Sequence, residues 1–303
     1  MLFTKILCPV DLSDFSKRAF EHGLVLGKLY GAEVVALHVF GTWIGNESTY
    51  PAWFRQVPQA REQIDRELRA LLDPAKSAGM DVPLVVHEGD PASEILEQAA
   101  DMRADLIVLS THGRSGFDRL AIGSVTEKVL RKAGCPVLVV PVQPIPAQAE
   151  PAPPAAFAGY RRILCAIDFS QSSRQALKFA VSVARHGGTG VTLVHVVEIA
   201  DNPDVTIDDA SPLAALRRER VEAARESLRR IIAEHEDEVA AMDEVVRLGR
   251  SHQAILDVAA EREADLVVMG VRGRGAVDIT LFGSTTNQVV RRAKCAVLTV
   301  RTR

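Results

Sequence analysis

Two aspartates and two glycine-bearing loops carry most of the chemistry that this chain of 303 residues offers. Asp11 ends the run Lys5-Ile6-Leu7-Cys8-Pro9-Val10, and Asp168 ends Arg162-Ile163-Leu164-Cys165-Ala166-Ile167. Farther on, Gly270-Val271-Arg272-Gly273 is followed by nine residues and then by Gly283-Ser284-Thr285. The matching stretch nearer the start reads Ser110-Thr111-His112-Gly113, nine residues, then Gly123-Ser124-Val125. Glycine lets backbone amides approach the oxygens of an anion closely. A Gly-Ser pair that opens a helix adds free N–H groups and the positive end of the helix dipole. The spacing is that of a phosphate cradle. Arg114, Arg272 and Arg274 stand beside it and could neutralise phosphate charge, although a solvated loop face explains them equally well.

These residues are positioned by a duplicated pattern. The segments ending in Asp11 and Asp168 match at an offset of 157, as do Leu37-His38-Val39 and Val194-His195-Val196. Ala104-Asp105-Leu106-Ile107-Val108 matches Ala264-Asp265-Leu266-Val267-Val268 at an offset of 160, which Cys135 and Cys295 keep. Two copies of domain size follow, rather than a solenoid. Between them, Pro141 to Gly159 hold six prolines among alanines, a stiff segment with no means of forming a core. The expected division is 1–141 and 160–303 for the domains and 142–159 for the linker.

Each copy alternates strand and helix. In the first, strands are predicted at 5–10, 33–40, 82–87, 105–110 and 136–140. Ser13 or Asp14 caps a helix that runs to Leu29 before Gly31. One amphipathic helix is expected over 58–78, another opens at Pro91, and a third covers 123–132. Such alternation implies βαβ units and a parallel sheet with helices on both faces. In open sheets of this kind ligands bind beyond the carboxyl ends of the strands, where the strand order reverses. Asp11, Asp168 and both glycine loops fall at such ends.

Composition narrows the function. The formal net charge of −3 argues against a polybasic nucleic-acid binder, and no stretch approaches the length needed to span a bilayer. Four cysteines without a C-x-x-C pair argue against zinc and fit reduced thiols in a cytoplasm. There is no Walker-type loop, no G-x-S-x-G elbow, no H-E-x-x-H and no G-x-G-x-x-G fingerprint. No activating base stands out, so fast ATP hydrolysis is not expected.

The glycine spacing after a strand, the aspartate ending the first strand, and the ordered segments Ile-Leu-Cys-Ala-Ile-Asp-Phe-Ser, Leu-Val-His-Val and Ala-Asp-Leu-Val-Val-Met-Gly occur together. This combination resembles the universal stress protein family, over everything but the linker and in tandem. The resemblance implies two Rossmann-like α/β domains, each a five-stranded parallel sheet of order 3-2-1-4-5. It implies ATP, with or without Mg²⁺, as the ligand of many members. It places Asp11 and Asp168 on the adenosine portion, and the backbones of Val39 and Val196 in the adenine pocket. Gly113, Gly123, Ser124 and Val125, and in the second copy Gly270, Gly273, Gly283, Ser284 and Thr285, would hold ribose and phosphates. It also implies pairing through the fifth strands, here within one chain, and a homodimer of chains stays open. Ser110 departs from the pattern, which has glycine there.

Plainer readings stand beside these. Asp11 and Asp168 could simply cap the following helices. His38 and His195 read as satisfied core or rim residues, and His112 as a loop residue with phosphate in reach. A long helix over 212–236 carries an apolar stripe of Leu213, Leu216, Leu228, Ile231 and Ile232, expected only to pack. The loop from Gly41 to Pro58 holds Trp43, Tyr50, Trp53 and Phe54, a partner site or a lid over the first copy's pocket, where the second copy has Asp201, Asp204, Asp208 and Asp209. Three functions remain: a nucleotide-sensing regulator, a slow ATPase, and a scaffold or chaperone-like protein acting on an unidentified protein partner. The first is preferred.

Overall fold

A computed structural model describes residues 2–41, 58–113, 122–142, 159–198, 211–271 and 283–301. The chain divides into two compact units, Met1–Gly159 and Tyr160–Arg303. The first runs β1 (Lys5–Pro9), α1 (Asp14–Tyr30), β2 (Glu33–Gly41), α2 (Pro58–Leu71), α3 (Asp73–Ser77), β3 (Leu84–Gly89), α4 (Pro91–Asp101), β4 (Leu106–Ser110), α5 (Ser124–Lys132) and β5 (Val137–Val140). The second runs β6 (Arg162–Ala166), α6 (Gln171–Gly187), β7 (Gly190–Val197), α7 (Pro212–Glu234), β8 (Met242–Leu248), α8 (Ser251–Glu261), β9 (Leu266–Gly270), α9 (Ser284–Arg292) and β10 (Ala296–Val300).

Every strand pairing within a unit is parallel. In the first, β1 lies between β2 and β4, with β3 outside β2 and β5 outside β4. In the second, β6 lies between β7 and β9, with β8 and β10 outside them. Each sheet therefore has the order 3-2-1-4-5. The order reverses between the first and fourth strands, so right-handed crossovers send helices to both faces. In the first unit α4 packs beside α5, while α1 lies on β1 and β4.

Local sequence explains how the first helix of each unit comes to its sheet. Ser13 and Ser170 accept the N–H groups of Ser16 and Ser173 through their hydroxyls, both at 3.2 Å. Gly31 and Gly188 end these helices at φ 63° and 62°, where a side chain would be strained. Gly23 and Gly27 let α1 settle on the sheet: a β-carbon there would run into Cys8 Sγ and Val34 Cγ2. The core is built from both strand faces, with Ile6, Leu7, Leu106, Ile107, Leu164 and Val267 all at 0% exposure.

Three expectations change. The helix foreseen over 58–78 is two helices, broken at Leu72. Pro74 has no N–H for a carbonyl one turn back, so the chain restarts with proline in the first turn of α3. The third strand begins at Leu84 rather than 82, because Pro83 cannot donate and takes only the Ala36 N–H, at 2.9 Å. On α7 the buried positions are Ala214, Ala224, Leu228 and Ile231, while Leu216 is 42% exposed, so the apolar stripe starts a turn and more later than its leucines suggest. The aromatic stretch with Trp43, Tyr50, Trp53 and Phe54, the acidic stretch from Asp201 to Asp209, Arg114, Arg272, Gly273 and Arg274, and residues 143–158 lie outside the described residues.

Candidate functional site

At the carboxyl end of β1 the backbone turns sharply. Asp11 is followed by Leu12 at φ 67°, and in the second unit Asp168 is followed by Phe169 at φ 63°. A left-handed turn at a bulky residue is costly, and both units keep it. The turn lets each aspartate grip the next helix. Asp11 Oδ1 accepts the N–H of Ser13 at 3.0 Å and its hydroxyl at 2.6 Å. Asp168 Oδ1 does the same with Ser170, at 3.0 and 2.5 Å. The helix cap is thus the serine, and the aspartate holds the serine. That corrects the plainer reading of Asp11 and Asp168 as caps.

The histidine of the second strand braces the same corner. His38 Nδ1 lies 2.7 Å from the carbonyl of Val10, and His195 Nδ1 lies 2.6 Å from that of Ile167. A carbonyl only accepts, so each ring carries its proton on Nδ1. Both histidines are therefore positioning residues, as their rim placement suggests. Just beyond, Val10 N–H donates to Leu37 O and Ile167 N–H to Val194 O, each at 2.8 Å. Two residues on, with β1 and β6 ended, the backbones of Val39 and Val196 face the same side.

Across a crevice from that corner stands the end of the fourth strand. Gly113 is packed on Asp11: a β-carbon there would strike the carboxylate oxygen Oδ2. The structure thus brings together two residues separated by about a hundred positions. Thr111 O accepts Gly123 N–H at 2.8 Å, and Val271 O accepts Gly283 N–H at 3.1 Å, so each glycine loop is pinched at its base. Thr126 and Thr286 secure the pinch, donating to the carbonyls of Ser110 at 2.8 Å and Gly270 at 3.0 Å. His112 Nδ1 lies 3.1 Å from Thr111 Oγ1, on the loop's inner hinge.

The helices that follow differ from the other long helices whose starts are described. Ser13, Asp90, Ser170 and Ser211 cap α1, α4, α6 and α7 through their side chains. On α8, Glu198 reaches the first N–H and hydroxyl of Ser251. α5 and α9 begin at Gly123 and Gly283 with no side-chain cap. Their first amides, at Ser124, Val125, Ser284 and Thr285, belong to helix starts that suit an anion.

Ser110 and Gly270 are resolved by packing. Neither has a positive φ. A β-carbon at Gly270 would come within 2.6 Å of Ser172 Cβ and 2.8 Å of its carbonyl carbon, so glycine is required by the approach of α6. In the first unit the serine fits, and its hydroxyl donates to His112 O at 2.6 Å. The substitution is absorbed by the loop itself.

The universal stress protein family model matches residues 2–141 and 159–301. The chain belongs to the universal stress protein family. Over 141 residues it is 36% identical to a universal stress protein of Methanocaldococcus jannaschii, covering 46% of this chain and 82% of that one. A universal stress protein of Mycolicibacterium smegmatis is 24% identical over 98% of this chain and 97% of its own length. The solved universal stress protein of Archaeoglobus fulgidus has a TM-score of 0.71 at 24% identity, covering 99% of this chain and 98% of that one, a likeness of fold.

Ser13 was foreseen as a helix cap, but its counterpart Ser170 and two further pairs were not singled out from the sequence: Ser16 and Ser173, Thr126 and Thr286. The signal was available, since each pair keeps the offset of its surroundings, 157 for the serines and 160 for the threonines.

Proposed function

We propose that this universal stress protein binds an adenine nucleotide, ATP, at the carboxyl edge of each sheet and acts as a regulator whose partner affinity depends on occupancy. The observation that carries the reading is the seat of Gly113 on the Asp11 carboxylate beside an uncapped helix start at Gly123. A β-carbon would overlap the Asp11 carboxylate, so only glycine lets the loop and the aspartate come together there. Asp11 and Asp168 would take the adenosine portion and the backbones of Val39 and Val196 the base. Gly113, Gly123, Ser124 and Val125 would hold the phosphates in the first unit, and Gly270, Gly273, Gly283, Ser284 and Thr285 in the second. Regulation follows if nucleotide and partner favour the same conformation. A cytoplasmic location fits the thiols of Cys8, Cys135, Cys165 and Cys295, none of them in a disulfide. Among the described residues no helix is long and apolar enough to cross a membrane.

The test is nucleotide released by denaturing freshly purified protein. Two adenine nucleotides per chain are expected, falling to one in Gly113→Val and one in Gly283→Val, whose added β-carbon would lie 2.8 Å from Val271 O. No release, with no uptake of added ATP, overturns the reading.

A further inference from the structure

Beside the exchange of Ser110 for Gly270, the two crevices differ in the place of one ring. In the first unit the aromatic partner of His38 is Phe40, from the same strand, with ring centroids 4.8 Å apart at 90°. The second unit has Val197 at the corresponding position. Its histidine, His195, packs instead against Phe169, at 4.6 Å and 40°. The ring has moved from the strand to the turn beside Asp168, where the first unit has Leu12.

That turn is an unfavourable place for it. Phe169 sits at φ 63°, a conformation glycine adopts without penalty. The histidine beneath is fixed by its bond to Ile167 O, so the phenyl ring rests on an anchored support. His38 is 1% exposed and its ring partner Phe40, out on β2, is half-buried, whereas Phe169 and His195 are both half-buried with the phenyl ring at the turn itself. The second crevice therefore has a part-exposed aromatic surface next to Asp168, close to the turn of the backbone toward Val196. Planar bases stack on such surfaces whatever their sequence of polar atoms, and each stacking contact is worth a substantial share of affinity.

We infer that Phe169 is the stacking face for the base of a nucleotide in the second unit, and that Leu12 makes the first unit the weaker, less base-dependent site. The inference rests on the nucleotide reading above and adds the part of the ligand that each unit recognises. Phe169 acts on the base alone, so its removal leaves the grip on phosphate intact.

The experiment uses the full chain with Gly113→Val in place to leave the second site in view, titrated with Mg-ATP and with inorganic tripolyphosphate. Phe169→Leu is expected to weaken ATP about tenfold and to change tripolyphosphate less than twofold. Phe169→Tyr restores ATP affinity. Phe169→Gly relieves the left-handed backbone, so it folds at least as stably as its parent while still binding ATP about tenfold more weakly. Unchanged ATP affinity in Phe169→Leu overturns the inference, as does an equal loss for ATP and tripolyphosphate, which would make the ring a structural prop. A Gly113→Val parent that binds neither probe overturns the nucleotide reading itself.

Discussion

Aspartate does two different jobs at the two ends of these sheets, and the neighbours decide which. At the amino end, Asp105 Oδ2 accepts the N–H of Thr4 at 2.8 Å, its hydroxyl at 2.6 Å and the N–H of Lys5 at 3.0 Å. Asp265 accepts the N–H groups of Arg161 and Arg162 at 2.8 and 3.0 Å. Those carboxylates tie the fourth strand to the first. At the carboxyl end, Asp11 holds a cap with one oxygen and meets Gly113 with the other, so it is set in a crevice rather than spent on a strand. A titrating residue also tells on stability. Burial, and then the charge of Arg18 one turn earlier, push His22 on α1 down to about 4. In the unfolded chain histidine titrates near 6.5, so below that pH the unfolded state takes a proton that the folded state refuses. Stability is full above pH 6.5 and is lost as the pH falls toward 4. Urea unfolding at pH 7.5 and pH 5 is expected to show the parent losing on the order of 2 kcal/mol more than His22→Gln over that interval. Equal losses would mean that His22 is protonated in the fold.

A helix start can serve stability or a ligand, and the uncapped starts of α5 and α9 leave room for the second. Ser124 and Ser284, the first residues of these helices, are exposed and their helices lack the side-chain cap found on α1, α4, α6 and α7. Aspartate there should complete the dipole, raising stability by about 0.3–1 kcal/mol for each helix. The same carboxylate would repel phosphate. Ser124→Asp with Ser284→Asp is thus expected to melt higher and retain less than a tenth of the parent's nucleotide, measured by thermal unfolding and by released nucleotide. A variant that melts higher and binds normally would remove these helix starts from the site. Much of this was legible beforehand. Caps, glycine stops and β-branched runs are local signals, and they place α1, α4, β1 and β4 within a residue or two. Where one proline interrupts a continuous amphipathic pattern, as at Pro74, periodicity alone runs through the break. The Asp11–Gly113 contact and the brace from His38 to Val10 depend on strands brought side by side, and no spacing within one segment encodes them. The need for glycine at 270 but not at 110 lies in how closely α6 comes to its sheet, a packing distance invisible in the sequence.

Duplication poses a problem at the level of the whole molecule, and the fifth strands are where it falls. Within each unit's own sheet β5 and β10 are outermost, yet Val137-Leu138-Val139-Val140 and Ala296-Val297-Leu298-Thr299-Val300 carry almost no polar side chain. A bare apolar edge of this kind invites pairing with other chains, and proteins usually guard such an edge with charge. The outer strand at the other side of the second unit is guarded: Asp243 pairs with Arg262 at 3.1 Å, Glu244 with Arg229 at 3.0 Å and Arg247 with Glu261 at 2.5 Å. An apolar edge at β5 and at β10 thus calls for a cover that the charged β8 does without.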